Sequence, residues 1–304
     1  MQRYNISLRR TTTLTTLTDD LLTDRAVRYM KYLSPRLDAL SLDHTVLMDE
    51  TAVYFEDPRR QTIDATGARH VVLKSTGFAS MRVTAVLAVS ASGRKLPPLV
   101  VWKGDRQDGA VERVGNAYVT YQKRAWVDSQ LLIKWLDTVF PSVLDAATPG
   151  KAVVWDSMRA HVSKAVKAQF ANKNVEMFMI PGGLTPYVQA GDIGIYKSFK
   201  DRLFGIIDGW KSSDRVRTRK VATQAAFSGR CSAVGETAWK DVSDEVIRRS
   251  VAAAGISPCY QDWHISRHDV YGELFCRKWL SRDGESEDGD VEENILENLD
   301  EFTI

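Results

Sequence analysis

The chain has 304 residues, 44% of them hydrophobic, so it can bury a substantial core. It holds no apolar run of about 18 residues and begins without a signal-peptide apolar region, which argues against a membrane-spanning or secreted protein. Its three cysteines, Cys231, Cys259 and Cys276, are sparse and odd in number, as in proteins of a reducing compartment. We therefore expect a soluble intracellular protein with one α/β domain and additions.

The net charge of +2 hides an asymmetry along the chain. Residues 283–304 carry ten acidic side chains and no lysine or arginine, which leaves 41 basic against 29 acidic side chains, or +12, in the rest. Such a basic body suits a protein that handles a polyanion. Residues 282–304 are too charged to fold and are predicted to be a disordered acidic tail, which either competes with the polyanion or only aids solubility.

The first half of the chain predicts a helix followed by strands. Residues 1–40 are interpreted as a Thr-rich linker and a helix that begins at Asp19 and is broken or kinked at Pro35. Strands are predicted at 44–50, 69–74, 82–89 and 99–102, with turns between them at Ser75-Thr76-Gly77 and Ser92-Gly93.

The second half alternates strands and helices. A helix capped by Ser129 precedes strands at 151–155 and 175–180, each followed by a helix, at 162–172 and 193–210. Antiparallel strands, a helix and then β/α alternation give the ribonuclease H-like order, in which the first and fourth strands are neighbours. The predicted fold class is therefore α/β, a ribonuclease H-like mixed sheet with flanking helices at 41–212. A helical appendage at 213–281, with one helix over 236–254, precedes the acidic tail.

Three of the predicted segments deliver an aspartate to one edge of this sheet. The strand Val46-Leu47-Met48 runs into Asp49, the strand at 151–155 ends at Asp156, and the strand at 175–180 leads through a Gly/Pro loop to Asp192. Carboxylates held close together repel, so the cluster needs a cation. Mg²⁺ or Mn²⁺ suits such oxygen ligands, and two ions roughly 3.5–4 Å apart catalyse in-line phosphoryl displacement.

Each of these side chains also has a structural interpretation. Asp49 could cap the turn before Tyr54, Asp156 could form an Asx turn, and Asp192 could stabilise the N-terminus of a helix. His161 could contact a substrate phosphate, shuttle a proton, or serve as a satisfied structural histidine.

Two further groups of residues have competing interpretations. Cys259, His264, His268 and Cys276 are zinc-ligand types, but they lack a Cys-x-x-Cys pair and lie among aromatic residues, so a packing element is favoured over a zinc site. The basic run Arg215, Arg217, Arg219 and Lys220 is either a solvated loop, a phosphate-binding segment or a nuclear import signal.

Five stretches in one order resemble a known family. They are Met48-Asp49-Glu50-Thr51, the strand Arg82–Ser90, Gly93–Leu99 with Lys103-Gly104, Trp155-Asp156-Ser157 with His161, and Gln189–Asp192 with Phe199-Lys200. Together they resemble the catalytic domain of pogo-like transposases, which are related to the Tigger, jerky and mariner transposases. The resemblance covers residues 3–210, about two thirds of the chain.

The resemblance implies a transposase-type DNA endonuclease and strand transferase of the DDE superfamily. The family's catalytic and metal-binding carboxylates fall on Asp49, Asp156 and Asp192, with 35 residues between the last two. They imply two Mg²⁺ or Mn²⁺ ions as cofactors. Two departures are Ser157, where relatives often have asparagine, and a linker-like N-terminal stretch in place of the DNA-binding region related to centromere protein B.

The resemblance also implies partners and a compartment. We expect DNA as the partner, nuclear localisation, no membrane association, and a chain compatible with a homodimer. The expected DNA contacts are His161, Lys197, Lys200, Arg215, Arg217, Arg219 and Lys220. The competing hypothesis is a domesticated or truncated derivative that binds DNA or chromatin without cutting, and another ribonuclease H-like nuclease is a third.

Overall fold

The computed structural model describes residues 16–54, 82–104, 110–140, 150–211 and 235–281. Several sequence predictions lie outside these ranges: the Thr-rich linker over 1–15, the strand at 69–74 with the turn at 75–77, the basic run at 215–220 and the acidic tail at 282–304. None of the described helices is both long and apolar enough to span a membrane.

A mixed sheet lies at the centre of the described fold. Its strands in the described ranges are β1 (Thr45–Tyr54), β2 (Arg82–Ser90), β3 (Leu99–Lys103), β4 (Glu112–Val114), β5 (Ala117–Gln122), β6 (Ala152–Asp156) and β7 (Glu176–Ile180). They are arranged in the order β4-β5-β3-β2-β1-β6-β7. Strand β1 pairs antiparallel with β2 and parallel with β6, so the predicted ribonuclease H-like order is confirmed. The short β4–β5 hairpin was not predicted, because Glu112-Arg113-Val114 has no apolar alternation.

Helices cover both faces of the sheet. They are α1 (Asp19–Leu37), α2 (Ser129–Thr138), α3 (Lys164–Asn172), α4 (Thr185–Val188), α5 (Tyr196–Lys211), α6 (235–240), α7 (Asp244–Val251) and α8 (Gly272–Ser281). A π-helical turn at Gly191–Ile195 precedes α5, and a second one at Ala252–Ile256 follows α7.

Two helix predictions need correction. The N-cap of α2 is Asp128, whose carboxylate accepts the Leu131 N–H at 2.9 Å, so Ser129 is the first helical residue and not the cap. The single helix predicted over 236–254 is two helices, because the Ser243 side chain caps the start of α7 by accepting the Val246 N–H. An aspartate or serine that can bond a free backbone N–H begins a helix wherever the chain turns, which an apolar stripe does not reveal.

Successive strand residues enter two different cores. On one face, Val46 and Met48 of β1 pack with Trp155 against α2 and α3. On the other, Leu47 packs with Phe178 against α1, α5 and the C-terminal helices. Since α1, α7 and α8 contribute to the same core as the sheet, the predicted boundaries near residues 40 and 212 do not separate independent cores in the described fold.

Lys95 ties the C-terminal helices to the sheet. Its Nζ donates to the carbonyls of Lys240, at 2.9 Å, and Val242, at the end of α6, and it lies 3.5 Å from a carboxylate oxygen of Asp244. Nearby, Trp239 Nε1 donates to the Leu96 carbonyl at 2.8 Å. A lysine at a helix C-terminus satisfies carbonyls that have no partner in the helix and complements the helix dipole.

We expect Lys95→Met to lower the free energy of unfolding by about 1.5–2 kcal/mol, because it leaves the carbonyls at the end of α6 without their charged donor. Urea denaturation followed by circular dichroism measures the change. Lys197→Met is the matched control, since that side chain is 83% exposed. Equal denaturation midpoints for wild type and Lys95→Met would show that the contact contributes nothing.

Candidate active site

The register of the sheet brings the first two predicted aspartates side by side. The parallel pairing of β1 with β6 ends at Leu47↔Val154, and Asp49 and Asp156 lie two residues further along their strands. Because side chains alternate between faces, both aspartates lie on the face of Leu47 and Val154, which holds the core with α1 and α5. This placement agrees with the sequence prediction that the first and fourth predicted strands, now β1 and β6, are neighbours.

The third predicted aspartate, Asp192, approaches from the turn before α5. It is the second residue of the π-helical turn and is solvent-exposed. The residue at the N-cap position is Ala190, and no side chain caps this N-terminus, so Asp192 does not act as a cap. Although the residue is exposed, the surrounding protein desolvates part of its carboxyl group, which raises the pKa of Asp192; the charge of Lys200 opposes this shift and the negative charge of Asp156 adds to it. The three carboxyl groups are thus close enough to influence one another.

Asp49 is the aspartate of the cluster whose negative charge is most destabilised by its surroundings. Burial raises the pKa of Asp49 well above its ordinary value, and the charges of Glu50, Asp156 and Asp192 raise it further. Asp49 Oδ1 accepts the Glu50 backbone N–H at 2.7 Å. The Tyr196 hydroxyl faces the same carboxyl group without reaching full hydrogen-bond geometry. A buried carboxylate among other carboxylates attracts either a proton or a cation.

His161 connects the two acid-bearing strands. Its Nδ1 lies 2.7 Å from Asp156 Oδ1 and its Nε2 lies 3.2 Å from Glu50 Oε1. The ring is fully buried and stacks on Trp155, with ring centroids 4.4 Å apart. Burial alone would lower the pKa of His161, but the hydrogen bonds to Asp156 and Glu50 raise it to about 10. His161 is therefore an imidazolium that bridges β1 and the end of β6 at neutral pH.

This contact determines the state of Asp156. Burial opposes ionisation of Asp156, but the hydrogen bond and the positive charge of His161 lower its pKa below the ordinary value. Asp156 Oδ1 also accepts the Met158 N–H at 3.1 Å, which is the Asx turn considered as its structural interpretation.

The prediction that His161 contacts DNA is contradicted by its burial, since the side chain is 0% exposed and both ring nitrogens are engaged. The structural interpretation of His161 holds instead.

Comparison with known proteins gives the family of the chain. The profile of the family described as DDE superfamily endonuclease matches residues 80–250, more than half of the sequence. The chain belongs to the DDE superfamily endonucleases.

Two curated relatives extend this assignment within the family. The chain is 26% identical over 283 residues to the mouse protein "Pogo transposable element with KRAB domain", covering 90% of the chain and 46% of the relative. It is 28% identical over 213 residues to the human protein of the same description, covering 69% of the chain and 35% of the relative. The resemblance to pogo-like proteins is confirmed, and the chain spans less than half the length of these relatives.

Solved structures share the fold of this DDE chain. The pre-cleavage Mos1 transpososome aligns with a TM-score of 0.52 and 11% identity, covering 94% of the chain and 70% of the Mos1 chain. The Mos1 mariner paired end complex with Mn aligns with a TM-score of 0.52 and 12% identity, covering 93% and 70%. At this identity the comparison establishes the fold, which is the ribonuclease H-like one predicted from the sequence.

The two lysines predicted to contact DNA occupy different positions in the DDE chain. Lys197 is 83% exposed and pairs with Asp201 at 2.7 Å, so it stays a predicted DNA contact on the surface. Lys200 is half-buried beside the acids. Burial lowers the pKa of Lys200, whereas the charges of Asp192 and Asp49 oppose that shift. Lys200 thus places a positive charge next to two of the three carboxylates.

The sequence reasoning missed three residues that shape this DDE site. Glu50 was noted only as part of a motif, yet it holds the second nitrogen of His161. The Tyr196 hydroxyl faces Asp49. Gly191 leaves room for the Tyr196 ring, since a Cβ at Gly191 would lie 2.4 Å from Cζ of that ring. The spacing Asp192 to Tyr196, one helical turn, is the signal that could have indicated the tyrosine.

The donor chemistry of the site fits hard divalent cations. Three aspartates raise the local negative charge, and carboxylate oxygens are the ligands that Mg²⁺ and Mn²⁺ prefer. In the described ranges, however, no three Asp, Glu, His or Cys side chains converge on one point as a metal site. At the alternative zinc position, Cys276 Sγ donates weakly to the Ser266 carbonyl at 3.7 Å, and His268 stacks on Tyr271.

Proposed function

We propose that this chain is the catalytic part of a pogo-type transposase, which cleaves DNA strands and transfers their ends with two divalent metal ions. Asp49, Asp156 and Asp192 are the proposed catalytic residues and metal ligands. The observation that carries the proposal is the pairing of β1 with β6, which puts Asp49 and Asp156 side by side two residues beyond the Leu47↔Val154 pair, with Asp192 in the turn before α5 near enough for the charges to act on one another.

The side chains of the site have distinct proposed roles. Bound Mg²⁺ or Mn²⁺ would supply Lewis-acid assistance to displacement at a phosphodiester. Asp49 and Asp192 would hold the ions from β1 and from the turn before α5. Asp156 would hold them from β6 in an orientation that His161 fixes through Oδ1. Lys200, beside Asp192 and Asp49, would bind a phosphate oxygen of the DNA strand and limit the charge repulsion when ions are absent.

Several partners and a compartment belong to the same proposal. The Mos1 structures that share the fold are a transpososome and a paired end complex with Mn, which supports DNA and a divalent ion as partners of this chain. A homodimer would suit the pairing of two DNA ends. Lys197 and the basic run Arg215, Arg217, Arg219 and Lys220 are the proposed phosphate contacts outside the acid cluster. The same run is a proposed nuclear import signal, so we propose the nucleus as the compartment.

Nicking of supercoiled plasmid in Mg²⁺ or Mn²⁺ tests the proposal. The wild type is expected to convert supercoiled to open-circular DNA, and Asp49→Asn, Asp156→Asn and Asp192→Asn are each expected to lower the rate by at least a hundredfold. Glu273→Gln is the control, because Glu273 lies on α8 outside the acid cluster and its side chain is 91% exposed. A rate that survives all three substitutions would refute the assignment of the site.

The same assay separates the proposal from the competing hypothesis. A domesticated derivative would bind duplex DNA in a salt-dependent way and nick it in neither metal. Binding without nicking, measured on one protein preparation, would therefore favour a DNA- or chromatin-binding protein over an active transposase.

A further inference from the structure

An arginine lies between two exposed aromatic rings at one end of the sheet. Tyr54, the last residue of β1, pairs directly with Arg82, the first residue of β2. The Arg82 guanidinium lies 5.8 Å from the ring centroid of Tyr54 and 5.9 Å from that of Trp126. Tyr54 is 39% exposed and Trp126 is 58% exposed. We call Tyr54, Arg82 and Trp126 the aromatic platform.

Trp126 is held outward by an ordered loop. The Ala125 N–H donates to the Gln122 carbonyl at 3.0 Å, which closes a turn, and the Thr84 hydroxyl donates to the Ala125 carbonyl at 2.6 Å. Ala125 is buried and has a φ of 53°, a backbone conformation that costs energy in a residue other than glycine. A loop that fixes a large apolar ring in solvent points to a surface that binds a partner.

The surroundings of the platform indicate an anionic partner with flat rings. Lys103, at the end of β3, pairs in register with Gln122, so it lies next to the loop that carries Trp126. Lys103, Lys123 and Arg124 are all exposed. Stacking faces with cations between and beside them match the alternation of bases and phosphates in a nucleic acid strand. A nucleic acid strand accounts for both features at once, since its bases stack on the rings and its phosphates neutralise the side-chain cations.

The position of the platform decides which form of DNA it fits. Tyr54 lies five residues beyond Asp49 along β1, which corresponds to about 17 Å. Tyr54 and Arg82 also belong to the opposite face of the sheet from Asp49, because side chains alternate along each strand. A stiff duplex seated on the acid cluster cannot bend sharply around the sheet edge over this distance. A single unpaired strand can, and its free bases can stack.

We infer that the aromatic platform binds an unpaired DNA strand, with a base stacked on Trp126 and phosphates held by Arg82 and the neighbouring lysines. This inference deepens the proposed function, because a strand released from the duplex at the acid cluster would leave toward the platform. Binding itself needs neither metal nor cleavage.

Fluorescence anisotropy in EDTA tests the inference with a labelled 20-nucleotide oligothymidine and a labelled duplex of equal length. We expect Trp126→Ala to weaken single-strand binding at least fivefold and to leave duplex binding unchanged, since one stacked base contributes that much affinity. Trp126→Phe retains a stacking face and should keep most of the affinity. Leu280→Ala is the control, because Leu280 is an apolar side chain that is 56% exposed and lies on α8. Matching melting temperatures establish that each variant is folded.

Three results would overturn the inference. Wild type that fails to bind oligothymidine, equal single-strand affinities for wild type and Trp126→Ala, or equal losses for single strand and duplex would each exclude a platform for unpaired DNA. Because the measurement is made in EDTA, its outcome is independent of plasmid nicking. A failed proposal for the acid cluster and a failed platform are therefore distinguished.

Discussion

Replacing His161 with alanine is expected to lower the free energy of unfolding by about 3–5 kcal/mol, the range found when one member of a buried ion pair is removed. The imidazolium is completely buried, and its two nitrogens hold Asp156 on β6 and Glu50 on β1. Without it, two largely buried carboxylates lose their cation, and Trp155 loses the ring stacked against it. Chemical denaturation monitored by circular dichroism measures the loss.

Two further variants separate charge from packing at His161. His161→Phe keeps a ring against Trp155 but makes no hydrogen bond, so it should still be strongly destabilising. A double-mutant cycle of His161→Phe with Glu50→Gln should give a coupling energy above about 1 kcal/mol. Additive effects of the two substitutions would mean that the 3.2 Å contact between Nε2 and Glu50 Oε1 has no energetic weight.

The pH dependence of stability follows from the same contact. The folded-state pKa of His161, about 10, lies above its ordinary value of 6.5. Its stabilising contribution is therefore complete below about pH 6.5 and is lost progressively as the pH rises toward 10. The wild type should lose stability across this window, and His161→Phe should lose less. Parallel curves for the two proteins would contradict the assignment of a buried imidazolium.

Asp49→Asn and Asp156→Asn are expected to change metal-free stability in opposite directions. Burial and three neighbouring carboxylates raise the pKa of Asp49, so carrying this carboxyl group destabilises the folded state at pH 7.5, and Asp49→Asn should increase the free energy of unfolding by about 1–2 kcal/mol. Asp156 is the anionic partner of His161, so Asp156→Asn should decrease it by about 2–3 kcal/mol. Thermal and urea denaturation in EDTA measure both changes.

The acid limit provides a control for the Asp49 prediction. A raised carboxyl pKa destabilises the fold above the ordinary value of 3.8 and has no effect once both states are protonated. The gain from Asp49→Asn should therefore vanish near pH 3. Saturating Mg²⁺ should likewise stabilise the wild type more than Asp49→Asn, since only an ion that binds the folded state raises its stability. A loss of stability in Asp49→Asn at pH 7.5 would refute the claim that the Asp49 carboxyl group destabilises the folded state.

Local sequence was sufficient to predict the two strands that carry Asp49 and Asp156. The apolar run Val46-Leu47-Met48 before Asp49, and the equivalent run before Asp156, predicted two buried strands, and the order of elements predicted that these strands are neighbours. Strand β6 ends at Asp156 as predicted, but β1 continues past Asp49 to Tyr54, so Asp49 neither ends its strand nor caps a turn. Both strands and their pairing follow from patterns of a few residues. The cap of α2 at Asp128 and the break at Ser243 were missed, since a side chain that bonds a free N–H decides a helix end locally.

The chemistry around each acid depended on contacts that cross the fold. His161 and Glu50 are 111 residues apart, and neither residue type nor spacing indicates that one imidazole bridges two strands. Sequence alone left His161 open as a phosphate contact, and burial against Trp155 decided for a structural role. The same holds for Lys95, which reads as part of a transposase motif and proves to be the cation at the end of α6.

The sequence by itself determined the positions of β1, β2, β3, β6 and β7 and the aspartates that β1 and β6 carry, because period-2 alternation and apolar runs are properties of consecutive residues, whereas the β4–β5 hairpin was not predicted. Only the tertiary structure decided that neighbouring carboxylates destabilise the ionised form of Asp49, whereas His161 stabilises the ionised form of Asp156. Pairing and burial between distant segments set the energy of a charge, since the cost of desolvation and the sign of the nearest neighbour depend on position in space. Two aspartates that look alike in the sequence thus differ in the fold.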